Sequence, residues 1–288
     1  MKPILIDKQL QLKDSIHVKQ VSQKYLDTPF HFHNAYELVW IQESSGHRIV
    51  GDHIEKFTND DLIMMGPNLP HVWYNEKDYY HEDSTQKIRA TVIYFRPDWL
   101  TETTINSTEF TRLRELLEHI KRGIKITGAT KKNIINQIAK LPQSTSLKRI
   151  IGILSILDVL SNSGGYECLS SPGYVNTHHQ KDVEKIDRVY QFIMMHYTEK
   201  IRLEDAARIA HMTPTAFCRY FKSRTQKTFA NFVNEVRIGY ACKLLCDEEL
   251  NISEVCYRAG FYNPTNFNKN FKLFKKMSPT DFRNSLKL

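Results

Sequence analysis

The sequence has no apolar segment long enough to cross a membrane. Its longest apolar run, from Ile150 to Leu157, ends at Asp158, whereas a membrane-spanning helix needs about 20 apolar residues. The amino terminus, MKPILIDKQLQ, carries charges where a secretion signal requires an apolar segment. Cysteine is scarce and odd in number, with five residues and no C-x-x-C pair, which disfavours a disulfide framework. These absences predict a soluble cytoplasmic protein with no membrane partner.

Nearly all of the net positive charge of the chain lies in its last 108 residues. The 288 residues, 41% of them hydrophobic, suffice for two domains with a sizeable core. The net charge is +8, of which residues 1–180 contribute +1 and residues 181–288 contribute +7. This asymmetry favours a nucleic-acid-binding module at the C-terminal end, although charge alone does not exclude a merely basic surface.

The first hundred residues have the pattern of short strands separated by turns. The predicted strands are rich in β-branched and aromatic residues, and they are Glu37–Gln42, His47–Val50, Asp61–Met65, His71–Tyr74 and Arg89–Phe95. Their spacing of about 8–12 residues is typical of an antiparallel sandwich or barrel. The sequence therefore predicts a β domain over residues 1–100.

Beyond Pro97 the pattern becomes helical. Two apolar stripes at helical spacing, from Phe110 to Ile120 and from Leu147 to Leu160, predict a helical segment over residues 101–162. The second stripe is broader than one core face requires, so either burial or a helix–helix dimer contact explains it. Glycine, proline and small polar residues follow and predict an interdomain linker over 163–181, ahead of a C-terminal domain over 182–288.

The C-terminal region contains one structural unit twice, at Leu203–Lys222 and at Ile252–Lys272. Each copy predicts a short helix, a tight turn and a second helix that opens with Thr213-Pro214 or Asn263-Pro264, an N-cap followed by proline. This is a helix-turn-helix, whose second helix can enter a DNA major groove. An apolar stripe from Phe229 to Leu245 predicts a connecting helix about 28 Å long, close to the ~34 Å repeat of the major groove.

The last hundred residues resemble the AraC family of bacterial transcription activators. The residues that carry the resemblance are the two units, Arg237-Ile238 with Ala241 and Leu244-Leu245, Gly260-Phe261, Ser278-Pro279 and Phe282-Arg283. The resemblance implies binding to promoter DNA, a homodimer and RNA polymerase as a partner. The family usually has glycine where this chain has Gln226 and Lys276, so we expect those two helix ends to close differently.

The resemblance also implies which residues contact DNA. Base contacts are expected from Thr215, Cys218, Arg219, Thr265, Asn266, Asn268 and Lys269, and phosphate contacts from Lys222 and Lys272. Arginine pairs with guanine, asparagine with adenine, and threonine packs on a thymine methyl. Cys218 hydrogen-bonds poorly, so the alternative for it is a small filler against the backbone. The phenylalanines of both units, Phe217, Phe221, Phe267 and Phe271, are expected in the core.

A second constellation lies in the β region. The spacing H-x-H-x3-E at His31, His33 and Glu37, followed by His71, resembles the cupin barrel. Three histidines and one carboxylate are a possible divalent-metal site with an open position, although no cofactor is required. The alternative is that these side chains hydrogen-bond one another or a ligand in the barrel mouth. Trp73 nearby can stack on an effector ring.

Together these patterns predict an α+β protein of two domains. The expectation is an antiparallel cupin-like barrel with a helical dimerisation segment, followed by an all-α domain with two helix-turn-helix units. The function expected is a DNA-binding transcription regulator, an activator responding to a small-molecule effector such as a sugar. The alternative is a cupin metalloenzyme whose basic tail localises it on DNA, but the sequence contains no nucleophile–base arrangement. Neither the effector nor the target promoter follows from the sequence.

Overall fold

The computed structural model describes residues 15–96, 107–174 and 180–285. They form two compact units, the first within residues 1–53 and 57–176 and the second within residues 54–56 and 177–288. The first unit is rich in β-sheet and the second is helical, which confirms the two-domain α+β prediction. Within the described ranges, no helix combines the length and the apolar character needed to cross a membrane.

Nine strands are described, all of them before residue 170. They are β1 (Ile16–Gln23), β2 (Tyr36–Glu43), β3 (Gly46–Val50), β4 (His53–Phe57), β5 (Asp61–Met65), β6 (His71–Asn75), β7 (Ile88–Phe95), β8 (Ile124–Ile126) and β9 (Tyr166–Cys168). All five predicted strands are confirmed within one residue at each end. Strands β1 and β4 lack a clear apolar alternation, and β8 and β9 have only three residues each, so the sequence pattern missed these four.

The strands form two sheets, and within the described part of the chain we find no closed barrel. The larger sheet has the order β1-β7-β2-β5-β8-β9, and the smaller has the order β4-β3-β6. An isolated antiparallel bridge between His31 and His71 joins the segment before β2 to β6. The apolar pattern identified the strands, but it carries no information on which strand edges pair.

Helices α1 (Thr111–Ile120), α2 (Gly128–Ile138) and α3 (Ser146–Ser163) complete the first unit. Two boundaries predicted from the sequence need correction. The segment 101–162 contains β8, and the predicted linker 163–181 begins inside the sheet, because β9 pairs with β8 from Ile124↔Cys168 to Ile126↔Tyr166. Small and glycine-rich composition suggested a linker, yet Ser170 is fully buried and its hydroxyl donates to the Val50 carbonyl over 3.1 Å.

The alternation of residues along the strands separates two apolar cores. Leu38, Met64 and Ile93 pack with helices α1–α3 on one face of the six-stranded sheet. Val39, Ile41 and Ile63 belong to the second core, together with residues of the three-stranded sheet. Because side chains two apart share a face, Glu37 lies on the face of β2 that carries Val39 and Ile41. The candidate site around Glu37 lies on this face.

The second unit consists of seven described helices. They are α4 (Gln180–His196), α5 (Leu203–Ile209), α6 (Pro214–Thr225), α7 (Phe229–Leu244), α8 (Ile252–Arg258), α9 (Pro264–Lys275) and α10 (Pro279–Ser285). The connecting helix α7 has 16 residues and is therefore about 24 Å long, slightly shorter than predicted. Tyr190 of α4 stacks on Phe232 of α7 with ring centroids 5.0 Å apart, which places α7 against the start of the domain.

Candidate DNA interface and ligand site

Both predicted helix-turn-helix units are present, as α5–α6 and α8–α9. At the start of α6 the Thr213 hydroxyl accepts a hydrogen bond from the Ala216 amide, and at the start of α9 the Asn263 carboxamide accepts from the amides of Thr265 and Asn266. These caps satisfy amides that the first turn of a helix leaves without partners. The recognition helices therefore begin at Pro214 and Pro264, as the sequence predicted.

The predicted division between core and surface is observed in both recognition helices. Phe217, Phe221, Phe267 and Phe271 are fully buried. The nine predicted DNA contacts are all exposed, namely Thr215, Cys218, Arg219, Lys222, Thr265, Asn266, Asn268, Lys269 and Lys272. Each recognition helix thus presents polar and basic side chains outward from an aromatic core, as insertion into a major groove requires. Exposure is compatible with these roles, and the individual base contacts stay predictions.

The recognition helices end in a strained backbone conformation. Gln226 and Lys276 have φ of 58° and 60°, the left-handed region that favours glycine. The amide of Gln226 donates to the Lys222 carbonyl and that of Lys276 donates to the Lys272 carbonyl, each over 3.0 Å. The prediction that these ends close differently without glycine is wrong, because the backbone adopts the left-handed cap with a side chain present.

In the first unit of the chain, the four predicted ligand residues come together. His31, His33, Glu37 and His71 are all buried, and one potential ligand atom from each lies within 4.8 Å of the others. Strand β2 supplies Glu37, strand β6 supplies His71, and the bridge between His31 and His71 holds the two histidines side by side. Their ring centroids are 4.2 Å apart.

The hydrogen bonds determine which ring nitrogens carry protons. Nδ1 of His31 lies 2.8 Å from the Pro29 carbonyl, and Nδ1 of His71 lies 2.8 Å from the Leu69 carbonyl. A carbonyl only accepts, so both Nδ1 atoms are protonated, and in a neutral ring Nε2 keeps its lone pair. Nε2 of His31 is buried without a hydrogen-bond partner, whereas Nε2 of His71 lies 2.8 Å from Glu37 Oε2.

His33 has a different part in the cluster. Its Nε2 lies 2.9 Å from Glu37 Oε2, so it donates a hydrogen bond that fixes the carboxylate. Burial raises the pKa of Glu37, but the neighbouring His71 and the hydrogen bond from His33 outweigh burial and hold that pKa well below its usual range. Burial and the nearby His71 lower the pKa of His31 well below its usual value, which keeps that ring neutral.

Tyr94 is a member of this site that sequence reasoning missed. It lies opposite Glu37 in the β2–β7 ladder, and its hydroxyl is hydrogen-bonded to the Glu37 carboxylate. Burial and the Glu37 charge raise the pKa of Tyr94 well above its usual value, so the phenol stays protonated. The cross-strand pairing is the signal that would have found it, and a single sequence does not reveal that pairing.

A cavity of about 70 Å³ adjoins the cluster. His31, Glu37, Trp73 and Tyr94 line it, together with apolar residues of β1, β2 and β7, whereas His33 and His71 are not among the lining residues. Trp73 Nε1 is buried and has no hydrogen-bond partner. The cavity thus offers an indole donor, a phenol and a lone pair of His31, and the rest of its wall is partly apolar and partly polar, with Lys19, Gln23, Asp27 and Thr28 among the lining residues. It is smaller than the ~150 Å³ that accommodates benzene in an engineered protein cavity, so a sugar-sized effector requires the site to open.

Comparison with known proteins agrees with this geometry. A family model described as a helix-turn-helix domain matches residues 206–285. The chain is 30% identical over 155 residues to the uncharacterized HTH-type transcriptional regulator YdeC of Bacillus subtilis. The aligned residues cover 53% of this chain and 53% of YdeC. The alignment thus spans about half the length of that relative.

Two further likenesses differ in their extent. The HTH-type transcriptional activator RhaR of Mannheimia succiniciproducens is 21% identical over 275 residues, 91% of this chain and 90% of RhaR. The DNA-binding domain of AdpA, solved in complex with a target DNA, is 26% identical with a TM-score of 0.33, over 34% of this chain and 89% of that domain. YdeC and RhaR are described as transcription regulators, so the metalloenzyme alternative receives no support.

Proposed function

The chain belongs to the AraC family of DNA-binding transcription regulators, and we propose that its N-terminal unit senses a small molecule that controls promoter binding by its C-terminal unit. The observation that carries the DNA-binding function is the pair of capped recognition helices, each with a buried aromatic core and an exposed polar and basic face. Two such helices in one chain read a long, asymmetric half-site. RNA polymerase is the further partner that the family implies for an activator. Because promoter DNA lies in the cytoplasm of a bacterium, we expect the protein there.

Selection from random duplex DNA tests DNA recognition by the full chain. We expect an enriched motif with two blocks of preferred bases, one for each recognition helix, and binding that weakens steeply as salt rises. Selection that enriches no motif, with only salt-dependent binding to all sequences, would contradict a sequence-specific regulator. In that case the basic C-terminal region would be a non-specific DNA-binding surface.

The ligand site is the cavity beside Glu37. Trp73 Nε1 supplies an unused donor for an acceptor atom of the ligand, and the valines and the isoleucine of β1, β2 and β7 supply an apolar wall. The cavity as observed is too small for a sugar, so a ligand of that size selects a more open arrangement. A ligand that binds one arrangement more tightly shifts the population toward it, which is the requirement for a switch. Thermal-shift screening against metabolites, followed by DNA binding with each hit, tests the effector proposal.

We further propose that the cluster binds a divalent transition metal through His31, His71 and Glu37. The fit rests on the Nε2 lone pairs of the two histidines, one without a partner and one 2.8 Å from the carboxylate. The lone pair on His71 Nε2 and the Glu37 carboxylate repel each other at this distance. A cation bound between them would remove that repulsion. Two imidazoles and one carboxylate are a familiar ligand set for iron, manganese and zinc. Such an ion would supply a Lewis-acidic position for an oxygen ligand beside the cavity.

Helix α3 is the proposed dimer contact. Its buried face contains Ile153, Ile156, Leu157 and Leu160, whereas Leu147, Ile151 and Leu154 are 66%, 57% and 38% exposed on the opposite side. The apolar stripe that appeared too broad in the sequence therefore divides into a core face and a solvent face. Sedimentation of the Ile151→Glu variant tests this proposal, and we expect a monomer. The control is Asn133→Glu on the exposed side of α2, which should remain a dimer. Equal dimerisation of both variants would exclude α3.

A further inference from the structure

Three asparagines form a chain of hydrogen bonds behind the second recognition helix. Nδ2 of Asn234, on α7, donates to Oδ1 of Asn270 over 3.3 Å. Nδ2 of Asn270 in turn donates to Oδ1 of Asn266 over 2.7 Å and to its backbone carbonyl over 2.9 Å. Asn270 is only 7% exposed, whereas Asn266 is exposed one turn earlier on α9. A buried amide therefore connects the scaffold helix to a residue on the DNA-facing surface.

The chain of hydrogen bonds has a direction. Each carboxamide has one oxygen that accepts and one NH2 group that donates, so the orientation of Asn270 fixes that of Asn266. Oδ1 of Asn266 is held on the protein, and Nδ2 is the group left for a base. A bidentate contact with adenine needs both ends of the amide, with Oδ1 on N6 and Nδ2 on N7. This arrangement differs from the asparagine–adenine pairing that we expected from the sequence.

We propose that Asn270 is a positioning residue that sets the base specificity of Asn266. It holds the Asn266 oxygen and presents the Nδ2 donor to an acceptor in the major groove, where guanine O6 and N7, adenine N7 and thymine O4 are the acceptors. The inference rests on the proposed function, since it assigns a reading mode to one of the expected base contacts. Asn234, on α7, fixes the orientation of Asn270. We call the hydrogen-bonded series Asn234–Asn270–Asn266 the asparagine relay.

The relay is specific to the second unit. When Phe217 is matched with Phe267 and Phe221 with Phe271, the positions of Asn266 and Asn270 correspond to Ala216 and Tyr220 in α6. Neither alanine nor tyrosine has a carboxamide, so the first recognition helix has no equivalent. Lys272 and Lys276 line the same groove as the asparagines and supply positive charge for phosphates, which carries no base specificity.

Selection from random DNA with the full chain tests the proposal through two substitutions of Asn270. Asn270→Ala frees the Asn266 side chain, and we expect the preference at one base pair of the second block to fall by about fivefold or more. Asn270→Asp keeps the shape but only accepts, so Asn266 turns to donate Nδ2 to it and presents Oδ1 to the DNA. The preference at that base pair should then change to an edge that donates, cytosine N4 or adenine N6. Asn231→Ala, in the same groove but outside the relay, is the matched control and should leave the motif unchanged.

The change in base preference distinguishes a positioning role of Asn270 from a purely structural one. A merely structural Asn270 would weaken binding to all bases alike, and melting curves of the free variants would show the loss of stability. An unchanged motif for both variants, or an equal loss at every base pair, would overturn the inference while the wild-type motif still supports the regulator. No enriched motif for the wild-type chain would instead contradict the proposed function itself.

Discussion

Nε of Arg48 lies 3.1 Å from Oδ2 of Asp61, and the Arg48 side chain is completely buried. Arg48 belongs to β3 of the smaller sheet and Asp61 to β5 of the larger one, so this ion pair joins the two sheets. A buried charge that loses its partner typically destabilises a protein by about 3–5 kcal/mol. We therefore expect Asp61→Ala to reduce the free energy of unfolding of the N-terminal unit by about 3 kcal/mol.

Tryptophan fluorescence measures this effect selectively, because Trp40, Trp73 and Trp99 are the only tryptophans in the sequence and all precede residue 100. The matched control is Glu43→Ala, since Glu43 pairs with Arg89 over 2.9 Å but both side chains are at least half exposed. Exposed pairs contribute about 0–1 kcal/mol. Equal denaturation midpoints for the two variants would show that the buried pair has no special role.

The sequence predicted the strands and recognition helices well, because their patterns are local. Thr213-Pro214 and Asn263-Pro264 mark helix starts through chemistry within three residues, and alternating apolar residues mark strands such as Asp61–Met65. The failures concern long-range pairing. Tyr94 joins the cluster only through its register with Glu37, and Tyr166–Cys168 becomes a strand only because β8 offers an edge. No periodicity in a single sequence encodes those partners.

Arg219 and Lys222 are both exposed on α6, yet we expect different consequences when each is replaced by alanine. Arg219→Ala removes a bidentate base contact, so it should weaken the preferred site by about 1–3 kcal/mol and relax one base position. Lys222→Ala removes a phosphate contact, so it should weaken all sequences alike and reduce the salt dependence by about one ion. Binding isotherms on specific and random duplexes at several salt concentrations distinguish the two. If both variants lose specific and random binding equally, the assignment of α6 as a base-reading helix is wrong.

The left-handed ends of the recognition helices predict an unusual gain from glycine. Gln226 and Lys276 have positive φ, where a side chain raises the energy by about 1 kcal/mol. Gln226→Gly should therefore increase the free energy of unfolding of the C-terminal unit by about this amount, measured by far-ultraviolet circular dichroism in denaturant. Gln226→Ala is the control, because alanine keeps the Cβ atom and should give no gain. A glycine variant less stable than alanine would show that the side chain, rather than the backbone, determines this corner.

Glycine at Lys276 should separate stability from DNA binding. Lys276→Gly relieves the same backbone strain, but it also removes a lysine from the groove that contains Lys269 and Lys272. We expect a more stable protein that binds all DNA sequences more weakly. Melting curves and isotherms on random duplex measure the two effects separately. Undiminished DNA affinity in this variant would exclude Lys276 from the phosphate-binding surface.

The buried histidines predict a graded response to metal. His31 and His71 have Nδ1 fixed by backbone carbonyls and Nε2 available, whereas His33 uses Nε2 to hold Glu37. His31→Ala, His71→Ala and Glu37→Gln should each abolish the binding of added Zn²⁺ or Mn²⁺, measured by calorimetry and elemental analysis of the full chain. His33→Gln keeps a donor to Glu37, so it should only weaken binding, by about 10–100-fold, as is typical when a residue supporting a ligand is replaced. If His33→Gln abolishes binding as completely as His31→Ala, His33 is a fourth ligand. If the wild-type chain binds neither ion, the cluster is a hydrogen-bonded network and the metal proposal is wrong.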